Sequence, residues 1–320
     1  MSVAWLADQM AWREVWVGAG AASGSNALPI GSVGTGRPVA LVTAGIHGDE
    51  GPWGAWAIRL LLERVPVSWL AGTLRVLPLA NPLAMEADAR CAPTDGLDLN
   101  RNFPGREDGS HTEMLAAAIT REALAGVDVV LDLHGGGSWC VNAFCHRFRG
   151  GERLAEAIAA PFVVDADGRG LGPITLTTFA RSQGASVAAV EMGGRGASEA
   201  RWAERIADGL TRALTVAGVL TPPGPRPGAV PAARSIPVGP TRVLRPRSGG
   251  VFLPDVGEDA VGTVVAGGTR LGRLVHPGTF AVVETFTAPY PKTALLLARP
   301  AVARLSAGAM TYVVAEPVGA

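Results

Sequence analysis

In the segment Val39-Ala40-Leu41-Val42-Thr43-Ala44-Gly45-Ile46-His47-Gly48-Asp49-Glu50-Gly51, an almost wholly apolar run gives way at Gly45 to a polar turn. The run Val39–Ala44 reads as a strand covered on both faces, because a strand with one wet face alternates apolar and polar residues. The glycines around His47 and Glu50 let the backbone turn tightly. Ionisable groups placed just after such a strand sit where open α/β sheets carry their functional groups, at the carboxyl ends of strands.

The same texture recurs on either side. Further strands are predicted over Leu74–Leu79, Val127–Leu133, Phe162–Asp165 and Val187–Glu191, and helices over Pro52–Arg64, Thr112–Ala125, Glu152–Ala160 and Ala200–Val219. This alternation predicts an α/β fold, a sheet flanked by helices on both sides. From Thr221 to Pro240 the chain is rich in Pro, Gly and Ala, with Pro222-Pro223-Gly224-Pro225 at its start, and reads as a connection. Beyond it short β-prone pieces (Gly250–Leu253, Val261–Val265, Thr279–Phe286, Ala294–Leu297, Met310–Val314) alternate with glycine turns. They predict a smaller C-terminal all-β domain of barrel-sandwich-like form. The expected division is residues 1–221 and 222–320.

Composition limits the partners. With 320 residues, 48% of them hydrophobic, the chain can bury one large core or a large and a small one. A formal net charge of zero argues against nucleic acid as a partner, which calls for a basic face. No uncharged apolar run reaches transmembrane length, and the N-terminus shows no basic region followed by an apolar stretch, so neither a membrane partner nor a signal peptide is expected. Cys91, Cys140 and Cys145 are an odd number without zinc-finger spacing, which fits a reduced, cytoplasmic protein. Lys292 is the only lysine, and no glycine-rich loop precedes it, which leaves no evident Schiff-base or P-loop lysine.

The chemistry-bearing residues fall in four short motifs. His47 and Glu50, at i and i+3, lie close enough on a helical turn to share one metal ion. His134 ends the strand Val127–Leu133 in Asp132-Leu133-His134, and Asp132 shares its strand face, placed to orient a ligand. Two imidazoles and one carboxylate leave a fourth position for water, the pattern of a catalytic zinc site. Glu191 follows an apolar strand and precedes Gly193-Gly194, and a carboxylate beside a metal-activated water takes its proton and passes it to the leaving amine. In Asp98-Leu99-Asn100-Arg101-Asn102-Phe103-Pro104-Gly105, Arg101 offers a planar fork suited to a carboxylate and Asn100 further hydrogen bonds. Arg90, upstream, is a candidate to polarise a carbonyl oxygen. Taken singly, each motif has a mundane alternative: a solvated turn, a sheet-edge histidine, an ion pair or a surface salt bridge.

His47-x-x-Glu50, Asp98-Leu99-Asn100-Arg101, Asp132-Leu133-His134 and Glu191, in that order, resemble the succinylglutamate desuccinylase/aspartoacylase family, a branch of the zinc carboxypeptidase superfamily. The resemblance spans roughly residues 38–220. It implies a zinc-carboxypeptidase-like mixed sheet, with His47, Glu50 and His134 holding one zinc per chain. It implies Glu191 as general base and acid, Asn100 and Arg101 as a carboxylate clamp, and Arg90 as the carbonyl-polarising group. It further implies a β-rich C-terminal domain, and the stretch Arg90–Met114 is reminiscent of the diaminobutyrate deacetylase side of the family.

The expected partner is therefore a small-molecule substrate with a carboxylate, and the expected reaction is hydrolysis of the amide bond of an N-acyl amino acid. The alternative within enzymes is a metallocarboxypeptidase acting on short peptides. A biotinyl-type carrier is excluded, because Lys292 lies in the second half of the β-rich region between Pro291 and Thr293 rather than at a hairpin flanked by methionines. His111, His146 and His276 lack partners at ligand spacing and are read as non-functional. Trp5, Trp12 and Trp16 are read as packing residues. Gly135-Gly136-Gly137 is read as room for substrate beside His134, since no helix signature follows to make a phosphate cradle. Some family members bring a tyrosine to the site from the β-rich domain, and Tyr290 and Tyr312 are the two candidates here, with neither singled out by the sequence.

Overall fold

The computed structural model describes residues 3–18, 27–167, 172, 174–224 and 235–319. Its first strands in chain order are β1 (Ala11–Trp16), β2 (Ala27–Val33), β3 (Val39–Ala44), β4 (Thr73–Leu77), β5 (Val129–His134), β6 (Val141–Arg147), β7 (Phe162–Asp165) and β8 (Ser186–Gly193). At the centre of a large mixed sheet, β4, β3, β5 and β8 run parallel in that order, with β2 and β6 antiparallel at their sides. Every residue of β5 is buried, and all but the first of β3. That two-sided burial is why both read as unbroken apolar runs.

The helices are α1 (Leu6–Gln9), α2 (Gly51–Arg64), α3 (Pro82–Glu86), α4 (His111–Glu122), α5 (Glu152–Ile158), α6 (Leu176–Ser182) and α7 (Glu199–Val216). They cover both faces, because successive strand residues point opposite ways. Val42 and Leu131 join one core with Ile58 of α2 and Ile206 of α7, while Leu41 and Val130 join the other with Leu115 of α4 and Leu176 of α6. On α7 the buried Trp202, Ala203, Ile206, Ala207, Leu210, Ala213 and Leu214 recur at helical spacing. Each large apolar side chain buried there contributes roughly 1.5–3 kcal/mol.

Several elements escape the sequence pattern. The strands β1, β2 and β6 and the helix α6 lie outside the predicted elements. Trp5, Trp12 and Trp16 are not packing residues: they are 37%, 51% and 58% exposed, Trp5 ahead of α1 and the other two on β1, the outer edge of the sheet.

Residues 225–234 of the expected connection, Pro225 included, lie outside the described residues. After them come β9 (Ile236–Val238), β10 (Arg242–Leu244), β11 (Gly250–Pro254), β12 (Val264–Ala266), β13 (Arg270–Val275), β14 (Val282–Thr287), β15 (Lys292–Ala298), β16 (Ala303–Leu305) and β17 (Tyr312–Ala315). Four of them form an antiparallel sheet in the order β14-β13-β11-β16. The others extend the large sheet: β15 pairs antiparallel with β6 and with β17, and β9 pairs parallel with β7. Phe252, Phe286 and Tyr312 knit the two together, with ring centroids 5.9–6.1 Å apart. The Tyr312 hydroxyl donates to the Leu271 carbonyl at 2.6 Å. Gly272 makes this possible, since a Cβ there would fall 2.6 Å from the Phe252 ring. Among the described residues no helix is long and apolar enough to cross a membrane.

Candidate active site

β3 ends at Ala44, and Gly45, at φ +74°, turns the chain sharply. A 3₁₀ turn over Gly48–Glu50 then folds Glu50 back toward His47. On the adjoining parallel strand His134 is the last residue of β5, with Leu133 opposite Ala44. The two loop ends thus meet at one place. Oε2 of Glu50 lies 3.0 Å from Nδ1 of His47 and 3.1 Å from Nδ1 of His134. One ligand atom from each of the three residues falls within 4.8 Å of the others, and all three are buried.

The far nitrogens of both rings are anchored. His47 Nε2 lies 3.1 Å from Asp98 Oδ1, and His134 Nε2 lies 2.9 Å from Asp132 Oδ2. Asn100 Nδ2 also approaches His134 Nε2, but at 3.4 Å. A ring nitrogen cannot both donate to the carboxylate and accept from the amide, and the shorter, charge-assisted contact decides for donation. With an ion bound, each Nε2 would keep its proton for the carboxylate and each Nδ1 would offer its lone pair to the metal. His47 Nδ1 is buried with no hydrogen bond of acceptable geometry in spite of that 3.0 Å approach. Two imidazole nitrogens converging on one buried carboxylate make a good ligand set for a cation.

The electrostatics agree. Burial works against charge at His47 and His134, yet both pKa values are raised, His47 mainly by the Glu50 charge and His134 mainly by Asp132. Burial likewise works against Glu50 and Asp98, yet the imidazoles, and Arg90 at Asp98, hold both well below the usual carboxylate range. The cluster therefore favours positive charge at its centre. A divalent ion supplies that charge without the protons.

Glu191 stands on β8 directly across from His134. It is half-buried, and its Oε2 accepts a 2.9 Å hydrogen bond from Asn142 Nδ2 on β6. Burial pushes its pKa up and the Glu50 charge adds to this, against the pull of His134 and Asn142. Arg90 donates to Glu50 Oε1 at 3.0 Å and to Asp98 Oδ2 at 2.9 Å, bridging a candidate ligand and the carboxylate that orients another. Asn100 Oδ1 accepts from the Leu176 amide at 2.8 Å, so much of its side chain serves to hold α6. Arg101 donates only to the Asn100 carbonyl, at 2.7 Å, and among the described residues no carboxylate pairs with it.

His47, Glu50, Arg90, Asn100, Arg101, His134 and Glu191 all line one cavity of about 520 Å³. The C-terminal strands close part of it through Val243, Leu297 and Val313. Trp139 forms another wall, braced by Arg299 stacked 4.1 Å above its ring. His146, read from the sequence as non-functional, also lines the cavity, edge-on to Phe144. Neither Tyr290 nor Tyr312 is among its lining residues. The glycine run is also tightly packed. A Cβ on Gly135 would strike the Trp53 indole at 2.6 Å, one on Gly136 the Cys140 carbonyl, and one on Gly137 the Asp49 carboxylate at 2.5 Å. These glycines let Trp53, Cys140 and Asp49 pack close, while Gly135 and Gly136 also line the cavity beside His134. Sequence reasoning gave no role to Asp98 or Asn142. The spacing of Asp98 ahead of Asn100 and Arg101 was a signal, whereas nothing marks Asn142 until β6 is laid beside β8.

Residues 37–217, more than half of the chain, match the succinylglutamate desuccinylase/aspartoacylase catalytic domain. The N-alpha-acetyl-L-2,4-diaminobutyric acid deacetylase of Halomonas elongata is 34% identical over 204 residues, which make up 60% of this chain and 55% of that protein. The match thus spans about half the length of that curated relative. An aspartoacylase family protein from Mesorhizobium loti is similar with a TM-score of 0.79 at 26% identity, covering 97% of this chain and 96% of that one. The product-bound ectoine utilization protein of Ruegeria pomeroyi gives a TM-score of 0.76 at 25% identity, covering 90% of this chain and 89% of that one.

Proposed function

The chain belongs to the succinylglutamate desuccinylase/aspartoacylase family, and on that premise we propose that it is a zinc-dependent hydrolase, cytoplasmic, that cleaves the amide bond of a small N-acyl amino acid. The observation that carries this reading is the convergence of two Asp-anchored imidazoles on Glu50, with Glu191 on the neighbouring strand. His47, Glu50 and His134 would hold the metal, and two imidazole nitrogens with one carboxylate suit zinc. When bound, such an ion polarises the scissile carbonyl and eases loss of a proton from water.

The chain's own residues do the rest. Glu191, held at one oxygen by Asn142, takes the proton of the attacking water through the other and returns it to the leaving amine. Its raised pKa suits both halves of that task. Arg101, without an ion-pair partner among the described residues, takes the substrate carboxylate, and the free amide of Asn100 assists. Arg90 fixes Glu50 and Asp98 and turns its charge toward the carbonyl oxygen. The three free cysteines support a reducing compartment. A cavity of about 520 Å³ accommodates a small acid and excludes a folded protein. The relative from Halomonas elongata, named as an acetyl-diaminobutyrate deacetylase, supports the same substrate class.

The test is a screen of the zinc-loaded protein against N-acetyl, N-formyl and N-succinyl amino acids beside a set of short peptides. Turnover of at least one N-acyl amino acid, with peptides at background, is expected. Turnover of peptides alone overturns the reading in favour of a carboxypeptidase.

A further inference from the structure

Four neighbouring antiparallel strands carry one row of side chains outward from Glu191. Asn142, which holds Glu191, is opposed by Leu297 on β15, Leu297 by Val313 on β17, and Val313 by Val243 on β10. Opposed residues on paired strands share a face, and all four line the cavity. With strands about 4.8 Å apart, Leu297, Val313 and Val243 lay down an apolar strip roughly 10 Å long that begins one strand beyond Asn142. A β-bulge sets this row. Leu295 pairs with Val314 and Leu297 with Val313, so Leu296 is the extra residue. Without it Leu297 would oppose Tyr312, whose ring packs toward the second sheet. Bulges beside a site re-aim side chains in this way.

The proposed chemistry does not use this strip. It holds no charged side chain, and Phe144, two residues along β6 from Asn142, adds a ring to the same face of the cavity. Arg101 stands on a different wall, on the 3₁₀ turn Leu99–Arg101 that Asn100 ties to α6. There Thr175, Thr177 and Thr178 make the lining polar. A trans amide sends its two halves in opposite directions. With the carboxylate-bearing amine half held at Arg101, the acyl half extends toward the strip. At about 1.5 Å per carbon–carbon bond, an acetyl group reaches only the start of the strip, whereas a hexanoyl chain extends about 6 Å along it. Apolar surface facing a cavity is stabilised by an apolar ligand group that displaces water from it.

We propose that Leu297, Val313 and Val243 form an acyl-chain subsite, so that the preferred acyl group is an unbranched apolar chain longer than acetyl. The inference rests on the deacylase reading for the bond that is cut. Its core, that the strip binds an apolar chain ending in a carboxylate, is measurable without turnover.

Titration calorimetry on the zinc-loaded protein compares the acid products hexanoate and acetate. Each buried methylene is worth about a threefold gain in affinity, so the wild-type chain is expected to bind hexanoate about thirty- to a hundredfold more tightly. L-norleucine and L-alanine, which vary the amine half instead, are expected to bind within about threefold of each other. Val313→Thr keeps the shape but sets a hydroxyl in the strip, and Val243→Asp puts a charge at its exposed end. Each is expected to cut the ratio of hexanoate to acetate affinity by at least about fivefold. Equal binding of hexanoate and acetate by wild type overturns the inference, and so does a ratio that neither variant moves. A chain-length preference found only between norleucine and alanine overturns it too, because the strip then serves the amine half. Turnover of N-acetyl and N-hexanoyl amino acids separates the readings. If neither is hydrolysed but the hexanoate preference depends on Val313 and Val243, the deacylase reading fails and the subsite stands. If N-acetyl amino acids are hydrolysed and hexanoate binds no better than acetate, the deacylase reading stands and the subsite fails.

Discussion

His134 and Glu191 lie directly opposite one another across the parallel strands β5 and β8. Opposed residues on neighbouring strands point to the same face, about 5 Å apart at their backbones. The candidate metal ligand and the candidate base are thus spaced by the sheet itself and not by a loop. Glu191→Gln keeps the shape and the Asn142 contact but cannot accept a proton. Hydrolysis is expected to fall by at least a factor on the order of a hundred. Metal content, read by elemental analysis, is expected to stay at the wild-type value, because Glu191 is not a ligand. Near-normal turnover assigns the base to another carboxylate.

Asp132 is fully buried and holds His134 Nε2 at 2.9 Å while accepting from the Thr43 hydroxyl at 2.5 Å. Asp132→Asn keeps the volume but loses the charge that fixes the imidazole tautomer. Zinc affinity, read by competition with a chromogenic chelator, is expected to weaken by about ten- to a hundredfold. An unchanged affinity means that Asp132 serves only the core.

If Arg101 takes the substrate carboxylate as proposed, Arg101→Met removes a charge-assisted contact worth roughly 1.5–3 kcal/mol, and kcat/KM is expected to fall about ten- to a hundredfold. The loss is expected to vanish largely when the substrate carboxylate is replaced by an amide, because the partner charge is then missing. Equal damage on acid and amide places Arg101 in the fold instead of the clamp.

What the sequence made legible follows burial. β3, β5 and β8 are covered on both faces, so each announced itself as an apolar run, and the ionisable residues after those runs stood out by contrast. His47, Glu50, His134 and Glu191 are the residues that this contrast marks. β6, with Asn142 and His146, mixes polar and apolar side chains because one of its faces lines the cavity, and it gave no periodic signal. β1 failed for the opposite reason: its tryptophans suggest a core, but they stand on an exposed sheet edge. The extension of the large sheet by β15, β17 and β10 depends on pairing between distant segments, which local pattern cannot encode. The same holds for Asp98, whose importance lies in reaching His47 across 51 residues.

Tyr312 links the two sheets and sets part of the pH dependence of stability. Burial raises its phenol pKa above the usual value, with a smaller contribution from the Asp255 charge. In the unfolded chain the phenol titrates near about 10. Above that pH the unfolded state releases a proton that the folded state retains, so ν_U falls below ν_N and stability declines as pH rises. Cys145, fully buried, is raised in the same way and adds to the decline. Tyr312→Phe is expected to lose about 1 kcal/mol near neutral pH through the missing bond to Leu271. It is also expected to show a shallower loss of stability from pH 9 to 11 than wild type, read by urea unfolding. Parallel slopes in the two proteins contradict this assignment.

The central claim is that one metal ion, held by His47, Glu50 and His134, is required for hydrolysis of an N-acyl amino acid. Its most direct test is a zinc titration of chelator-stripped protein with that hydrolysis as readout. The account predicts negligible turnover at the start, a linear rise, and a plateau at one equivalent of zinc per chain, with His134→Ala failing to rise. Full turnover by the stripped protein, or a titration in which His134→Ala follows wild type, would contradict it.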